Sequence, residues 1–362
     1  MSVEYKAAII GCGRMSRAHI KAYQEVGIPI VAVADISQEA LEKMRTDYNI
    51  EKTYTDYIKM LNETRPDVIS IVTPEALHCE MVVTAAQKGV KGIICEKPMA
   101  MNLEEAQKML KACYDSNTKL VISHQRYYSP QYAKARQIIE QGSIGNIRFI
   151  EAFSFYQSIF TDGTHTIHMI LTLLGNPKPA YLIAQIDGNS DYCYYGHRCD
   201  HAGNAFLVFE NKVYAYLTWG GLISYPPTTK RLHPLWDFNQ HRYHAFIVHG
   251  ETGRLEIDGD FSEKDDPNKV PSLLRIVRGL EIEKIDFEWP PMKSPIALEI
   301  VDLISSIENN TLHPLSGENG YTVLEVIMGI YESSRRRGTV CFPVEVKDNP
   351  FLSMCEEGIF PR

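Results

Sequence analysis

The chain has 362 residues, of which 44% are hydrophobic and 23% are charged, a composition typical of a globular protein of two domains. Its formal net charge of −8 argues against nucleic acid as a partner, because phosphate binding needs a basic surface. No apolar run reaches the roughly 18 residues of a membrane span, and the first residues lack the pattern of a signal peptide. The eight cysteines show no CxxC spacing, so we expect reduced thiols, a cytoplasmic location and no metal site.

Residues 5–122 alternate short apolar runs with helical patterns. Strands are predicted at Ala7–Ile10, Ile30–Ala34, Val68–Val72, Gly92–Cys95 and Leu120–Ile122, and helices near 14–25, 37–47, 75–88 and 102–116. The strand runs are continuously apolar, as expected for parallel strands that are covered on both faces. The pattern therefore predicts an α/β domain with a doubly wound parallel sheet over residues 1–123.

The pattern changes after residue 123. A helix near Pro130–Gln141 precedes longer strands at Ile147–Tyr156, Tyr181–Ile186, Asn204–Glu210, Val213–Trp219, Tyr243–His249 and Arg254–Ile257. Short turns join several of these strands, so the neighbours should be antiparallel. Residues 225–242 and 259–294 are predicted loops, and two helices near 295–309 and 319–334 follow. We expect a second α/β domain over residues 124–362.

A glycine-rich turn, Gly11-Cys12-Gly13-Arg14-Met15-Ser16, lies between the first strand and the first helix. Gly11 permits the sharp turn, and Gly13 lets the backbone approach a pyrophosphate at the helix N-terminus. Asp35 ends the next strand, where a carboxylate binds ribose hydroxyls and repels a 2′-phosphate. These residues predict NAD as the cofactor in preference to NADP. The alternative is that Asp35 only caps the helix that begins near residue 37.

Two later strands are also followed by candidate residues, since ligands of such sheets bind beyond the carboxyl ends of the strands. Thr73-Pro74 and His78 should border the cofactor, although Thr-Pro can simply start a helix. Glu96-Lys97-Pro98 follows Gly92–Cys95. Lys97 could hydrogen-bond a substrate hydroxyl and stabilise it as an alkoxide, with Pro98 fixing the turn through a cis bond. The alternative is an ion pair between Glu96 and Lys97.

A histidine pair precedes an apolar helical run. Thr164 is a plausible N-cap, which would place His165 at the helix N-terminus as a neutral base, with His168 one turn later. Asp162 stands in the preceding loop. Histidines in helices are more often structural, but two on one face beside an aspartate favour a site.

Two further segments are compatible with either a functional or a structural role. Gln125, Arg126 and Tyr127 follow the last strand of the first domain and either bind ligands or pack the domain seam. Trp236 lies in an aromatic and histidine-rich loop, residues 233–244, that either covers a sugar or makes a subunit contact.

Together these motifs resemble the glucose-fructose oxidoreductase / inositol 2-dehydrogenase / MocA family, with Glu96-Lys97-Pro98 as the most specific of them. The resemblance implies an N-terminal Rossmann domain and a C-terminal α/β domain with a large, mostly antiparallel open sheet that forms dimers or tetramers. It implies oxidation of a secondary alcohol of a sugar, glycoside or cyclitol, with Lys97 and His165 as the catalytic residues. The family's aspartate four positions before the histidine is replaced by Thr161, and Asp162 comes one place later.

The expected reaction passes a hydride to NAD while His165 removes the hydroxyl proton and Lys97 stabilises the oxygen. The alternatives are cleavage of a glycoside through transient oxidation and elimination, and a non-enzymatic dinucleotide-binding regulator. The expected cofactor-binding residues are Gly11, Gly13, Arg14, Met15, Asp35, Thr73, Pro74, His78, Glu96, Lys97 and Gln125. The expected catalytic residues are Lys97, His165 and Asp162, and the expected substrate-binding residues are Lys97, Arg126, Tyr127, Asp162, His165, His168 and Trp236.

Overall fold

The computed structural model describes residues 5–155, 158–188, 193–194, 196–220, 244–258, 273–286 and 294–360. Contacts divide the chain into two compact units, Met1–Tyr128 with Pro290–Leu324 and Ser129–Trp289 with Glu325–Arg362. The predicted domains, 1–123 and 124–362, differ from these units mainly at residues 290–324, which group with the N-terminal part of the chain. No helix within the described ranges is both long and apolar enough to pass through a membrane.

A six-stranded parallel sheet forms the centre of the first unit. Its strands are β1 (Ala7–Ile10), β2 (Ile30–Ala34), β3 (Thr53–Tyr54), β4 (Val68–Ile71), β5 (Gly92–Cys95) and β6 (Lys119–Ile122). They lie in the order β3-β2-β1-β4-β5-β6, and every neighbouring pair is parallel. The predicted doubly wound sheet is therefore confirmed. The strand order reverses between β1 and β4, which is where such sheets bind ligands.

Helices connect these strands. They are α1 (Ser16–Val26), α2 (Gln38–Tyr48), α3 (Tyr57–Thr64), α4 (His78–Gln87) and α5 (Leu103–Asp115), with α8 (Pro295–Asn309) joining from later in the chain. Side chains cap several starts: the Asn102 side chain accepts from the Glu105 amide at 2.9 Å, as the sequence predicts for α5. Helix α8 buries Ile300 and Leu303 in the core that contains Ile9 and Val121.

A nine-stranded sheet forms the second unit. Its strands are β7 (Ile147–Ser154), β8 (Pro179–Asp187), β11 (Ala202–Phe209), β12 (Tyr214–Gly220), β13 (His244–Gly250), β14 (Arg254–Asp258), β15 (Leu273–Arg278), β16 (Glu281–Lys284) and β17 (Val340–Cys341), in the order β16-β15-β14-β13-β7-β12-β11-β8-β17. Among the described strands of this sheet, only the pair β7 and β12 is parallel. The predicted large, mostly antiparallel sheet is confirmed. A separate hairpin pairs β9 (Cys193–Tyr194) with β10 (His197–Arg198).

The remaining helices are α6 (Pro130–Glu140), α7 (Gly163–Leu173), α9 (Gly317–Arg336) and α10 (Pro350–Glu356). A π-helical turn, Ser158–Asp162, runs directly into α7. The C-terminal half of α9 is tied to β8, because the Ser333 hydroxyl accepts a hydrogen bond from the Ala184 amide at 2.8 Å.

The structure corrects the predicted loop at 259–294, because β15 and β16 occupy residues 273–284. Strand β15 buries Leu274 and Ile276, but the surrounding Pro, Asp and Lys residues obscure this alternation. The short elements β3 and α3 were not predicted either. The predicted strand ends Tyr156 and Tyr243 lie outside the described residues.

Candidate active site

The glycine turn after β1 has the geometry of a phosphate-binding loop. Gly11 has φ +97°, and a Cβ there would stand 2.8 Å from the Val72 carbonyl oxygen, so only glycine fits. A Cβ at Gly13 would meet nothing within 4 Å, which leaves this backbone open to a ligand. Met15, the N-cap residue of α1, makes no side-chain hydrogen bond to the amides of the first helical turn. This turn also has no acidic residue. These amides suit a pyrophosphate.

Asp35 stands at the end of β2 beside this turn. Its carboxylate accepts hydrogen bonds from the Cys12 amide at 2.7 Å and from the Ser37 amide at 2.8 Å. The cap of α2 is the Ser37 hydroxyl, which accepts from the Ala40 amide at 3.2 Å, so capping α2 is not the role of Asp35. Ile36 follows with 93% exposure. The site therefore has the carboxylate that a ribose needs, and the residues present fit NAD.

His78 links the loops after β4 and β5. Its Nε2 lies 2.9 Å from the Thr73 carbonyl oxygen, its Nδ1 lies 3.0 Å from the Pro98 carbonyl oxygen, and the side chain is fully buried. Burial lowers the pKa of His78. The ring thus holds together the two loops that carry Thr73, Pro74 and Lys97, and direct contact of His78 with the cofactor stays a prediction.

Lys97 is the second residue after β5, and its bond to Pro98 is cis. Beneath it, the buried Glu96 carboxylate lies 3.1 Å from Nε2 of His19 and accepts from the Lys97 amide at 3.3 Å. Burial opposes ionisation of Glu96, but the hydrogen bond and charge of His19, with the charge of Lys97, outweigh it and lower the pKa of Glu96. Glu96 is therefore held as a carboxylate under the half-buried lysine.

A buried polar chain continues from Glu96 into the first unit. Nδ1 of His19 lies 3.0 Å from the Ser70 hydroxyl, which lies 3.1 Å from the Tyr23 hydroxyl, and all three side chains are fully buried. Sequence reasoning missed His19 and Ser70. His19 could have been found from its position, because it lies on the apolar face of α1, one turn after the glycine loop.

Gln125, Arg126 and Tyr127 lie together in a short 3₁₀ turn after β6, and all three are half-buried. The ring of Tyr127 meets that of Tyr128 edge to face at 5.0 Å. The Tyr128 hydroxyl donates to Asp302 at 2.6 Å, which fixes the turn on α8. Roles for Gln125, Arg126 and Tyr127 in ligand binding stay predictions.

The second unit carries the histidine segment. The predicted N-cap at Thr164 is wrong: α7 begins at Gly163, and the π turn makes the chain helical from Ser158 onward. His165 is therefore in the second helical turn of this segment and is 5% exposed. Thr161, one turn before it, is fully buried, whereas Asp162 is half-buried. The substitution of threonine for aspartate thus falls at the buried position. The catalytic and substrate-binding role of Asp162 stays a prediction.

His244 stands beside His165 and was not assigned to the site from the sequence. The ring centroid of His244 lies 6.2 Å from that of His165. Nδ1 of His244 lies 2.5 Å from the Thr166 hydroxyl. His244 starts β13, at the end of the histidine-rich loop singled out in the sequence. Trp236, in the same loop, lies outside the described residues.

His168 lies in the interior of the second unit, 3% exposed. Burial, with a contribution from the positive charge of Arg136, lowers its pKa to about 3 from an ordinary value of 6.5. The side chain is therefore neutral at physiological pH. Contact of His168 with the substrate stays a prediction.

Because the folded-state pKa of His168 lies below the unfolded value, the unfolded chain binds the proton first as the pH falls. The stabilisation is present above pH 6.5 and is lost between pH 6.5 and about 3. We expect His168 to account for a loss of about 2 kcal/mol in unfolding free energy between pH 7 and pH 5. Urea unfolding of His168→Gln should show a loss smaller by this amount. Equal losses in His168→Gln and the wild type would contradict the expectation.

Among the described residues no group of three or more histidine, cysteine or acidic side chains is arranged to hold a metal ion. The first unit thus carries one set of candidate residues, namely the glycine turn, Asp35 and Lys97 with its buried support. The second unit carries a separate set, namely the π turn, His165 and His244.

Comparison with known proteins finds similarity to oxidoreductases. Residues 5–124 match the oxidoreductase family with an NAD-binding Rossmann fold. D-apiose dehydrogenase from Paraburkholderia graminis is 32% identical over 158 residues, 42% of this chain and 42% of that protein. The NAD⁺-dependent scyllo-inositol 2-dehydrogenase from Bacillus subtilis is 29% identical over 156 residues, 42% of this chain and 45% of that protein. The matched region thus spans less than half the length of these two relatives.

Solved structures resemble the chain over nearly its whole length. Aldose-aldose oxidoreductase from Caulobacter crescentus, complexed with glycerol, has a TM-score of 0.78 at 19% identity, covering 94% of this chain and 100% of that one. An oxidoreductase from Agrobacterium radiobacter, in complex with NAD⁺, L-tartaric acid and magnesium, has a TM-score of 0.75 at 18% identity, covering 94% of this chain and 98% of that one. At these identities the likeness establishes the fold alone.

Proposed function

We propose that the chain is a member of the glucose-fructose oxidoreductase / inositol 2-dehydrogenase / MocA family and that it moves a hydride between NAD and a secondary hydroxyl carbon of a sugar, glycoside or cyclitol. The observation that carries the proposal is the placement of Lys97. It is the second residue after β5 of the NAD-binding sheet, its bond to Pro98 is cis, and its neighbour Glu96 is a buried carboxylate held by His19. The names of the relatives, which include apiose and inositol dehydrogenases, support the substrate class.

NAD, when bound, supplies the hydride acceptor. The residues that would hold it are the amides at the start of α1 for the pyrophosphate and Asp35 for a ribose. The protein's own task is then to hold the substrate hydroxyl and to manage its proton. Lys97 hydrogen-bonds this oxygen and stabilises its developing negative charge, while His165 accepts the proton. The balanced change is alcohol plus NAD⁺ to ketone plus NADH plus a proton.

A panel assay tests this proposal. Monosaccharides, glycosides and inositols are each incubated with the protein and either NAD or NADP, and the reduced nicotinamide is followed by absorbance. We expect at least one panel member to reduce NAD, with the matching ketone oxidising NADH. If the protein binds NAD but neither reaction occurs with any panel member, the proposed substrate class is wrong.

Replacing Asp35 should change cofactor preference. In Asp35→Ser combined with Ile36→Arg, the repelling carboxylate is gone and a cation can pair with a 2′-phosphate. We expect the ratio of NADP to NAD affinity to rise about 100-fold, equivalent to about 3 kcal/mol. Fluorescence titration with both nucleotides measures it.

The control for this change is Asp67→Ser, which removes an aspartate that pairs with Lys91 at 2.7 Å and precedes β4, at the opposite end of the sheet from Asp35. Its cofactor preference should match that of the wild type. A double variant that binds the two nucleotides in the wild-type ratio would exclude Asp35 as the discriminating residue.

The exposed face of the nine-stranded sheet supports self-association. Tyr181, Ile183, Phe206 and Tyr214 lie on this face with 38–50% exposure, and the rings of Phe206 and Tyr214 stack at 5.8 Å. Because monomers seldom expose a large contiguous apolar patch, we infer that copies of the chain pair through it. Sedimentation velocity should show a dimer or tetramer that Ile183→Lys dissociates. A monomeric wild type would end this inference.

A further inference from the structure

A fully buried aspartate of the second unit accepts four hydrogen bonds. Oδ1 of Asp200 accepts from the Ser158 hydroxyl at 3.0 Å and from the Tyr331 hydroxyl at 2.5 Å. Oδ2 accepts from the Ile159 amide at 2.9 Å and from Nε1 of Trp219 at 2.6 Å. The donors belong to the π turn, β12 and α9, so one carboxylate joins three separate elements.

Two of these donors hold Asp200 rigidly from the core side. Trp219 and Tyr331 are both almost completely buried. A Cβ at Gly203 would collide with the Trp219 ring, so the indole lies directly over this glycine. The Tyr331 ring packs on Phe351 at 5.3 Å between centroids. The core therefore determines where the Asp200 carboxylate stands.

The other two donors belong to the turn that precedes His165. Ser158, with φ +68°, starts this turn in the left-handed region. Its hydroxyl, placed by Asp200, is also 3.2 Å from the Phe160 amide and 3.4 Å from the Thr161 amide. Asp200 and Ser158 thus satisfy three successive amides at the start of the helical segment, which have no intrahelical partner. A carboxylate at this end also suits the helix dipole.

Placing a carboxylate in the interior is costly, and burial raises the pKa of Asp200 against the opposing effect of its four donors. Apolar side chains of similar volume would often serve stability as well. An apolar residue could not accept the hydrogen bonds by which Asp200 fixes the conformation of the turn before Asp162 and His165.

We propose that Asp200 is a positioning residue for the active-site helix, setting the place of His165 through the π turn. This inference rests on the proposed role of His165 as the proton acceptor. It assigns to Asp200 an effect on kcat that is transmitted through His165, while NAD binding by the first unit is unaffected.

The test is a double-mutant cycle. Asp200→Asn keeps the volume of the side chain but turns an amide group toward the donors. Ser158→Ala removes only the hydroxyl that joins Asp200 to the Phe160 and Thr161 amides. With a panel substrate, we expect either change to lower kcat about 10- to 100-fold, as a displaced catalytic group does. In the His165→Ala background the same changes should alter kcat less than about twofold, because the group that they position is gone. The control Asp258→Asn, at a buried aspartate of β14, should leave kcat near the wild-type value.

A second readout does not need activity. The imidazole NMR signal of His165, identified by its absence in His165→Ala, should shift in Asp200→Asn and Ser158→Ala, whereas that of His249 should not. If Asp200→Asn does not fold, Ser158→Ala decides. The inference is overturned if Ser158→Ala keeps wild-type kcat and an unshifted His165 signal, or if kcat falls equally in both backgrounds. Wild-type activity in His165→Ala would instead overturn the proposed function.

Discussion

Lys97→Ala is expected to lower kcat about 10³-fold while NAD affinity changes less than about twofold. The ammonium group would be lost at the point where an oxyanion develops, and one such donor is worth about 10² to 10³ in kcat. NAD affinity should persist, because the glycine turn and Asp35 do not depend on this side chain. Steady-state kinetics with a panel substrate and fluorescence titration with NAD measure the two quantities.

Two variants make this prediction specific. Lys97→Arg keeps the charge but changes its geometry, so its kcat should recover only in part. Lys88→Ala removes an exposed lysine at the C-cap of α4 and should leave kcat unchanged. Retention of most of the wild-type kcat by Lys97→Ala would remove the lysine from the mechanism.

His165→Ala is expected to lower kcat about 10²- to 10⁴-fold, the contribution typical of a positioned general base. The loss should depend on pH: hydroxide replaces a missing base, so the residual rate of the variant should rise with pH. Added imidazole should restore part of the rate, because the variant leaves a cavity of matching shape. A pH-rate profile with and without imidazole measures both effects.

The control for His165 is His249→Ala, which removes a partly exposed histidine of the same unit that lies 2.7 Å from Glu151. This variant should keep the wild-type kcat and pH profile. A His165→Ala protein with normal kcat and no response to imidazole would show that the proton is accepted elsewhere.

The sequence was sufficient to predict the first unit where local patterns decide structure. β1, β2 and β5 begin and end where predicted, because continuous apolar runs bounded by turn residues leave few alternatives. The sharp turn at Gly11 was also predicted correctly, because the φ of +97° and the close Val72 carbonyl both require glycine there. The short elements β3 and α3 have too few apolar positions to stand out.

The supports of the candidate site could not be predicted, because they join residues far apart in the chain. Glu96 was selected from its motif, but its partners were not. His19 in α1 and Ser70 in β4 each resemble an ordinary buried polar residue when the sequence alone is considered. Asp200 and Tyr331 are separated by 131 positions. The start of α7 was misplaced for a different reason: the π turn is stabilised by Asp200, so no local sequence signal indicates it.

The most direct measurement follows deuterium from the substrate. A panel substrate that reduces NAD is prepared with deuterium on the carbon that bears the reacting hydroxyl, and the products are examined by NMR and mass spectrometry. Hydride transfer predicts one deuterium on C4 of the reduced nicotinamide for each ketone formed. A reduced nicotinamide without deuterium, or a cleaved glycoside with no net NADH, would contradict the proposed dehydrogenase reaction.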